Sequence, residues 1–521
     1  MRKAPILAVV ALATALILAP TASAIDKVDT KKLRRGVTVA GIMEHQERFQ
    51  QIATANGGNR AATFPGYDVS VQYVADTMRD AGFRVRLDPF DFAQWTYEGG
   101  ATLERISPSP ETWVEDTDYI VSQFSAGGDV TGDVFVAGRT TVPVPGGAGT
   151  SQSGCDPADF DGMPAGAVAL MQRGTCPFTQ KYENARDRGA GAALIFNDGG
   201  TGREEPLFIT APQDMSIPAI MVSNDVGEEI YGQAQSGAVT IHVALDATTT
   251  PITQYNVIAD SRKGTRGRTI VVGAHLDSVE AGPGINDNGS GSSTLLEIAE
   301  QIDRRNLKPK NRLRFAFWGA EEAGLVGSTA YVNDLVENGR IRQIEANLNF
   351  DMVGSPNFVR FVYDGDLSHS PPPPGGAPNG SGQIEGVFAR YFNSKGLQHD
   401  PTAFDGRSDY GPFIANGVPA GGLFTGAEGI KTARQAGIYG GTAGQPYDPC
   451  YHQACDTLAN LSSRALDQMS DAAAHTAWTL ARSKSAITKD QKGKSARRGK
   501  KSSRKVGRTR ALKYQSDFRV R

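Results

Sequence analysis

"GAHLDSVEAGPGINDNGSG", residues 273–291, decides how the chain is read. Before it stands an apolar run, Thr269-Ile270-Val271-Val272, with the composition of a buried strand. That strand ends in His275-Leu276-Asp277, and a glycine-broken loop then carries Asp287 between two asparagines. Ionisable groups at the end of a buried strand are costly unless something satisfies them. A metal ion is one answer, and zinc takes histidine nitrogen and carboxylate oxygen. Taken alone, Asp287 also reads as a turn residue, so the rest of the chain must supply further ligands.

Three other stretches do so. "FAFWGAEEAGLVGS" (315–328) places Glu321 and Glu322 between a strand and a helix. "NLNFDMVGS" (347–355) ends a strand in Asp351, and "YDPCYHQACDT" (447–457) holds Tyr451-His452 in a short loop between two cysteines. His275, Asp287, Glu322, Asp351 and His452 make two histidines and three carboxylates, a set able to hold two zinc ions if one carboxylate bridges them. Two such ions activate a shared water and polarise a substrate carbonyl. Glu321 would then be the free carboxylate available to carry a proton. Asp277 is placed to accept the other N–H of His275 and fix its tautomer. Spacing permits this convergence without demonstrating it.

The amino terminus has the form of an export signal. Arg2-Lys3 precedes an apolar run at 6–18, and Ala22-Ser23-Ala24 offers small residues for cleavage. Nothing later in the sequence is apolar over a bilayer's thickness, so a secreted, extracellular product without a membrane span is expected. Four cysteines in two local pairs, Cys155 with Cys176 and Cys450 with Cys455, suit disulfides in an oxidising compartment. A structural zinc site would need all four to converge. The formal net charge of −2 hides a gradient: Lys and Arg crowd 482–521 against only Asp490 and Asp517, leaving an acidic body.

Periodicity predicts helices at 37–56 and 66–82 and a strand at 83–87. From about 95 to 250 the texture changes to short β-like runs, at 134–136, 167–171, 192–196 and 219–222, with a helix at 178–188. From residue 255 strands (256–259, 269–273, 313–318, 345–352) alternate with helices (292–303, 324–338). That order predicts an α/β domain whose sheet is flanked by helices, with ligands at the carboxyl ends of the strands. The proline run beginning at Ser370-Pro371 is expected to be a stiff, solvated loop.

With these motifs in place, the chain resembles the secreted co-catalytic zinc aminopeptidases of the Streptomyces leucine type. "NGGNRA" (56–61), "PGY" (65–67), "GRSDYGPF" (406–413), "GVPAGGLFTGA" (417–427), "GGTAGQPYDPCYHQACDT" (440–457) and "SDAAAHTAWTL" (470–480) join the stretches above in carrying the likeness. The resemblance implies a mixed, mostly parallel sheet with both zinc ions at the strand ends. It assigns His275 and Asp351 to one zinc, Glu322 and His452 to the other, and Asp287 to the bridge. It makes Glu321 the general base and Tyr451 a donor to the tetrahedral intermediate. Arg407 matches a substrate-side position, and Met352 and Phe424 are candidate pocket walls that read equally well as core. The substrate implied is the amino terminus of a peptide or protein, with a bulky apolar first residue.

The segment "ADFDGMPAGAVALMQRGTCPFTQKYENARDRGAGAALIFND" (158–198) resembles the protease-associated domain, a small β-rich α+β insert. The chain thus divides into a signal peptide (1–24), a first catalytic segment (25–100), the insert (101–250), a second catalytic segment (251–484) and a basic disordered tail (485–521). The tail's charge suits anionic polymers, though nucleic acid is not the expected partner. A monomer is expected, and calcium has no clear ligand set. Other readings of the scaffold are a carboxypeptidase, a one-zinc cyclase and a receptor that has lost its metals; the last is disfavoured because every presumed ligand is present.

Overall fold

The computed structural model describes residues 25–144, 149–200, 203–207, 209–373 and 375–487. The stretch read as an export signal, 1–24, and all but the first three residues of the stretch read as a basic tail lie outside them. Two eight-stranded sheets organise these residues. The first runs, edge to edge, through Arg84–Tyr97, Ala247–Asp260, Asn311–Trp318, Thr265–His275, Ile344–Phe350, Ala420–Phe424, Phe361–Tyr363 and Asp400–Thr402. Its four central strands, Asn311–Trp318 to Ala420–Phe424, are mutually parallel, and antiparallel strands flank them on both sides.

Strands buried on both faces read as largely apolar runs. Asn311–Trp318 and Ile344–Phe350 are buried at every residue, their polar members included. Of the charged ones, Arg312, Arg314 and Glu345, Arg314 is matched by Asp260 on the neighbouring strand, which accepts bonds of 2.6 and 2.7 Å from its guanidinium. Helices Val39–Ala55, Pro65–Asp80, Gly289–Arg304 and Ser463–Arg482 put Phe49, Ile52, Val74, Met78, Leu295, Ile298, Leu466 and Met469 into one core with Ile270, Leu313, Phe315 and Leu348. Burying each such side chain contributes about 1.5–3 kcal/mol. Among the described residues no helix is long and apolar enough to cross a membrane.

The second sheet is built from residues 102–245. Its order is Glu111–Thr112, Thr102–Ser107, Thr240–Leu245, Gly128–Val136, Val168–Gln172, Ala192–Phe196, Ala219–Val222 and Tyr119–Val121. Helices Phe178–Asp187 and Asn224–Ala234 pack on it around a separate apolar core. Cys155–Cys176 closes a loop here, and Cys450–Cys455 closes the short loop in the other unit, leaving no free cysteine among the described residues.

The expected helices and strands are present with shifted ends, and one is much longer than expected. The strand read at 83–87 runs on to Tyr97, paired antiparallel with Ala247–Asp260 from Arg84↔Asp260 to Tyr97↔Ala247. Beyond Leu87 this ribbon still buries Phe90 and Phe92 and packs Trp95 and Tyr97 against the insert's core. It carries the chain into and out of the insert. At the other end, Ile487 lies three residues into the stretch read as tail, yet it is buried and its N–H donates to Glu345.

The tight pairing of the central strands can be tested with glycine. A Cβ at Gly422 would stand 1.9 Å from the backbone oxygen of Asn349 on the adjacent strand, whereas one at Gly437 meets nothing within 4 Å. Gly422→Ala should destabilise the protein by about 1–3 kcal/mol in denaturant unfolding. Gly437→Ala, inside helix Ala433–Tyr439, should be neutral or stabilise by about 0.5–1 kcal/mol.

Candidate metal centre

The parallel strands all deliver their carboxyl ends to one edge. His275 is the last residue of its strand, Asp351 follows Phe350 directly, and Glu321 follows Trp318 after a Gly319-Ala320 turn. Gly319 is required by close approach, since a Cβ there would stand 2.0 Å from the Tyr67 hydroxyl. Asp287 leads into helix Gly289–Arg304, and its peptide bond to Asn288 is cis. His452 sits in the disulfide-closed loop at φ 57°, a left-handed conformation unusual for a residue with a Cβ.

These loops bring the five expected ligands together. His275 Nε2 lies 3.1 Å from Asp287 Oδ1 and 3.2 Å from Asp351 Oδ1. His452 Nε2 lies 3.3 Å from Asp287 Oδ2 and 3.0 Å from Glu322 Oε2. Asp287 therefore presents one oxygen to each histidine. Ligand atoms about 2.0–2.1 Å from a tetrahedral zinc stand roughly 3.3–3.4 Å apart, close to the spacing found. His452 Nε2 and Glu322 Oε1 are buried atoms without a hydrogen-bond partner among the described residues. The donors fall into two groups, His275 with Asp287 and Glu322, and His275 with Glu321 and Asp351. Nitrogen and carboxylate oxygen at this spacing fit a dinuclear zinc centre.

The electrostatics also call for cations. Burial, reinforced by Asp287, pushes the Glu322 carboxyl up to about 7. Burial likewise holds Glu321 well above the usual carboxylate range, with Asp351 and Asp409 adding to it and His275 opposing. Positive charge among these groups relieves both desolvation and mutual repulsion.

A surrounding set of hydrogen bonds fixes the ligands. His275 Nδ1 donates to the backbone oxygen of Asp277 at 3.1 Å, leaving Nε2 for the carboxylate side. The Asp277 carboxylate also faces Nδ1, at 3.5 Å, and accepts the backbone N–H groups of Glu321 and Glu322 at 3.2 and 3.3 Å. Asp277 thus holds the glutamate turn and sets the tautomer. Ser408 donates to Asp351 Oδ2 at 2.5 Å.

Three residues with no role in the sequence reading tie the loops to one another. Arg60, in "NGGNRA", is fully buried and donates from Nε and Nη2 to the carbonyls of Pro283 and Gly284 at 2.9 and 2.6 Å, and from Nη1 to that of Leu276. Asp456 accepts the N–H groups of Asn286 and Asp287 at 2.9 and 3.0 Å. Asp448 accepts from Asn286 Nδ2 at 2.6 Å and from the N–H of Cys450 at 2.8 Å. Asp448 and Asp456 therefore flank Tyr451-His452 and grip the loop that carries Asp287. The only local signal was their place beside the cysteines.

A cavity of about 220 Å³ opens on the centre and is lined by Met352, Tyr363, Arg407, Tyr410, Phe424 and Tyr451 together with Asp287, Glu321, Glu322 and Asp351. Tyr451 stacks on His452 with ring centroids 3.8 Å apart. Two other donor groups occur among the described residues, His45 with Glu297 and Glu300, and Asp364 with Asp366 and Glu385. In the second, Asp364 already accepts the backbone N–H groups of Ser368, His369 and Ser370.

Residues 256–477 match Peptidase family M28, and residues 130–230 match the PA domain. An aminopeptidase of Pseudomonas aeruginosa is 44% identical over 457 residues, spanning 86% of this chain and 82% of that protein. Leucine aminopeptidase 2 of Trichophyton rubrum is 40% identical over 331 residues, 64% of this chain and 65% of that one. Among solved structures, the aminopeptidase from Aneurinibacillus sp. strain AM-1 superposes with a TM-score of 0.66 at 25% identity, covering 88% of this chain and 98% of its own.

Arg60 offers the sharpest test of how the loops are held. Arg60→Met leaves three buried carbonyls without their donor and should cost about 3 kcal/mol or more in thermal or denaturant unfolding. Arg60→Lys should recover only part of this, because one ammonium does not span three acceptors.

Proposed function

Since this chain belongs to peptidase family M28 and is a metallo-aminopeptidase with a dinuclear zinc centre, we propose that it is a secreted enzyme preferring bulky apolar, leucine-like amino-terminal residues. The observation that carries the assignment of roles is Asp287, with one oxygen toward each histidine and Glu321 buried beside it. On this reading His275 and Asp351 would hold one zinc and Glu322 and His452 the other, with Asp287 shared between them.

Bound there, the two ions would supply Lewis acidity toward the scissile carbonyl and make an attacking water more acidic. Glu321 takes the proton from that water as its oxygen adds to the carbonyl carbon. It then delivers the proton to the amide nitrogen as the C–N bond breaks, releasing the shortened peptide. A carboxyl raised by burial suits both halves of this task. Tyr451, on the cavity wall, donates to the oxyanion of the tetrahedral intermediate. Asp277 acts as a positioning residue through the Glu321 and Glu322 backbone.

Met352 and Phe424 form the apolar side of the first-residue pocket, and exposed Arg407 stands at its polar side. The name of the Trichophyton relative and the likeness of the motifs to the Streptomyces leucine type support the apolar preference. The export signal read at 1–24, the two disulfides and the PA domain support secretion.

Glu321→Gln should retain two zinc ions per chain by elemental analysis yet lose about 10²–10⁴-fold in kcat. Turnover like that of the unaltered enzyme would remove Glu321 from this role. Asp287→Ala should instead lose zinc, and two zinc ions retained would show that it is not the bridge.

A further inference from the structure

Two cavities meet at the metal centre, and Glu322 lines both. The first, of about 220 Å³, has room for one residue and holds Met352 and Phe424. The second, of about 650 Å³, leads away from Glu322 between the catalytic loops and the inserted domain. An enzyme that removes one residue from a chain needs this inequality, a small pocket for the residue cut off and a longer path for the chain that leaves. Resting on the aminopeptidase reading above, we propose that the second cavity binds the leaving peptide. Its walls select an apolar or aromatic second residue and disfavour a carboxylate, and the inserted domain supplies one of those walls.

The walls carry this reading. The floor is the segment from Asp277 to Glu280 with Glu322 and Ala323, and residues 61–64 form one side. Facing them are residues 92–97 of the long ribbon and Gln123-Phe124 of the insert. Phe64, Trp95 and Tyr97 give the cavity part-exposed aromatic faces, and Phe92 and Phe124 reach it from buried positions. Trp95 donates its indole N–H to the Ser125 carbonyl at 2.8 Å and stacks on Tyr97 with centroids 5.6 Å apart. The ribbon is thereby fastened to the insert beside Phe124, so the insert's wall is held in place.

Charge sets the second half of the specificity. Among the described residues the lining includes no Lys, Arg or His, and its ionisable members are Asp277, Glu280 and Glu322. The Asp277 carboxylate is occupied by two backbone N–H groups. Glu280 is exposed and acidic, so a carboxylate entering the groove meets like charge and no protein cation. A dipeptide brings its own terminal carboxylate there; its amide, or a longer peptide, does not.

The test compares kcat/KM of the zinc-loaded full chain on leucinamide, Leu-Phe-amide, Leu-Gly-amide, Leu-Asp-amide and Leu-Phe with a free carboxylate. Leu-Phe-amide should exceed Leu-Gly-amide by about tenfold through apolar contact. It should exceed both Leu-Asp-amide and free Leu-Phe by about tenfold through charge. Leucinamide releases only ammonia and fills none of the groove. Its failure to react would overturn the aminopeptidase reading, whereas its hydrolysis alongside equal rates on the four peptides would overturn the groove alone. Thr96→Lys, on the exposed ribbon, and Gln123→Lys, on the insert, each add a cation to the walls and should shrink the amide-to-acid ratio severalfold. A smaller ratio in Thr96→Lys with none in a folded Gln123→Lys protein would refute the insert's part, and no change in either would refute the charge argument.

Discussion

Four carboxylates and two histidines share one buried volume at the end of the central sheet, and the rest of the structure is arranged around the cost of that. Like charges at this range raise one another's proton affinity and resist burial, and only positive charge among them makes the cluster tolerable. Ion-pair distances of 3.0–3.3 Å between histidine nitrogens and carboxylate oxygens mark where that charge belongs. The effect extends beyond the ligands. Asp409, two residues after Arg407, is buried, and burial, with Asp351 and Asp277 adding to it, pushes its carboxyl up to about 8.

Such a cluster does not hold itself together, because each member repels another. The loops are therefore fixed by bonds that do not involve the ligand atoms. Arg60 spans the carbonyls after His275 and before Asp287, and Asp456 takes the N–H groups at Asp287 itself. Asp277 takes those of the glutamate pair. Preorganisation of this kind places the ligands without spending their own lone pairs. It also explains the short disulfide loop: Tyr451 and His452 project from a segment anchored at both ends by Asp448 and Asp456.

The second sheet stands apart in its core yet reaches the centre through the ribbon formed by Arg84–Tyr97 and Ala247–Asp260. The candidate ligands come from the ends of the first sheet's strands, the loop before helix Gly289–Arg304 and the loop closed by Cys450–Cys455. The insert contributes surface near them, at Gln123 and Phe124. On the proposal above the catalytic unit builds most of the groove for the departing chain and the insert adds Gln123 and Phe124 to its wall.

Much of this was legible in the chain. Apolar runs long enough to be buried, His275 and Asp351 at their ends, and Glu321-Glu322 just past another follow from composition and local order, which is why the sheet's central strands and the ligand types could be read. The strand Ala420–Phe424, made of Ala-Gly-Gly-Leu-Phe, carries no such signal, because its burial comes from neighbours rather than from its own residues. The continuation of the first strand from Leu87 to Tyr97 was missed although Phe90 and Phe92 alternate with polar residues there, because its partner, Ala247–Asp260, lies on the far side of the insert. Distance in space is not encoded by any local pattern, so the grip of Arg60 on Gly284 across 224 residues and the hold of Asp277 on the backbone of Glu321 and Glu322 were decided only when the backbone closed. Residue chemistry determined that metals were wanted; the hydrogen bonds of the folded loops determined where.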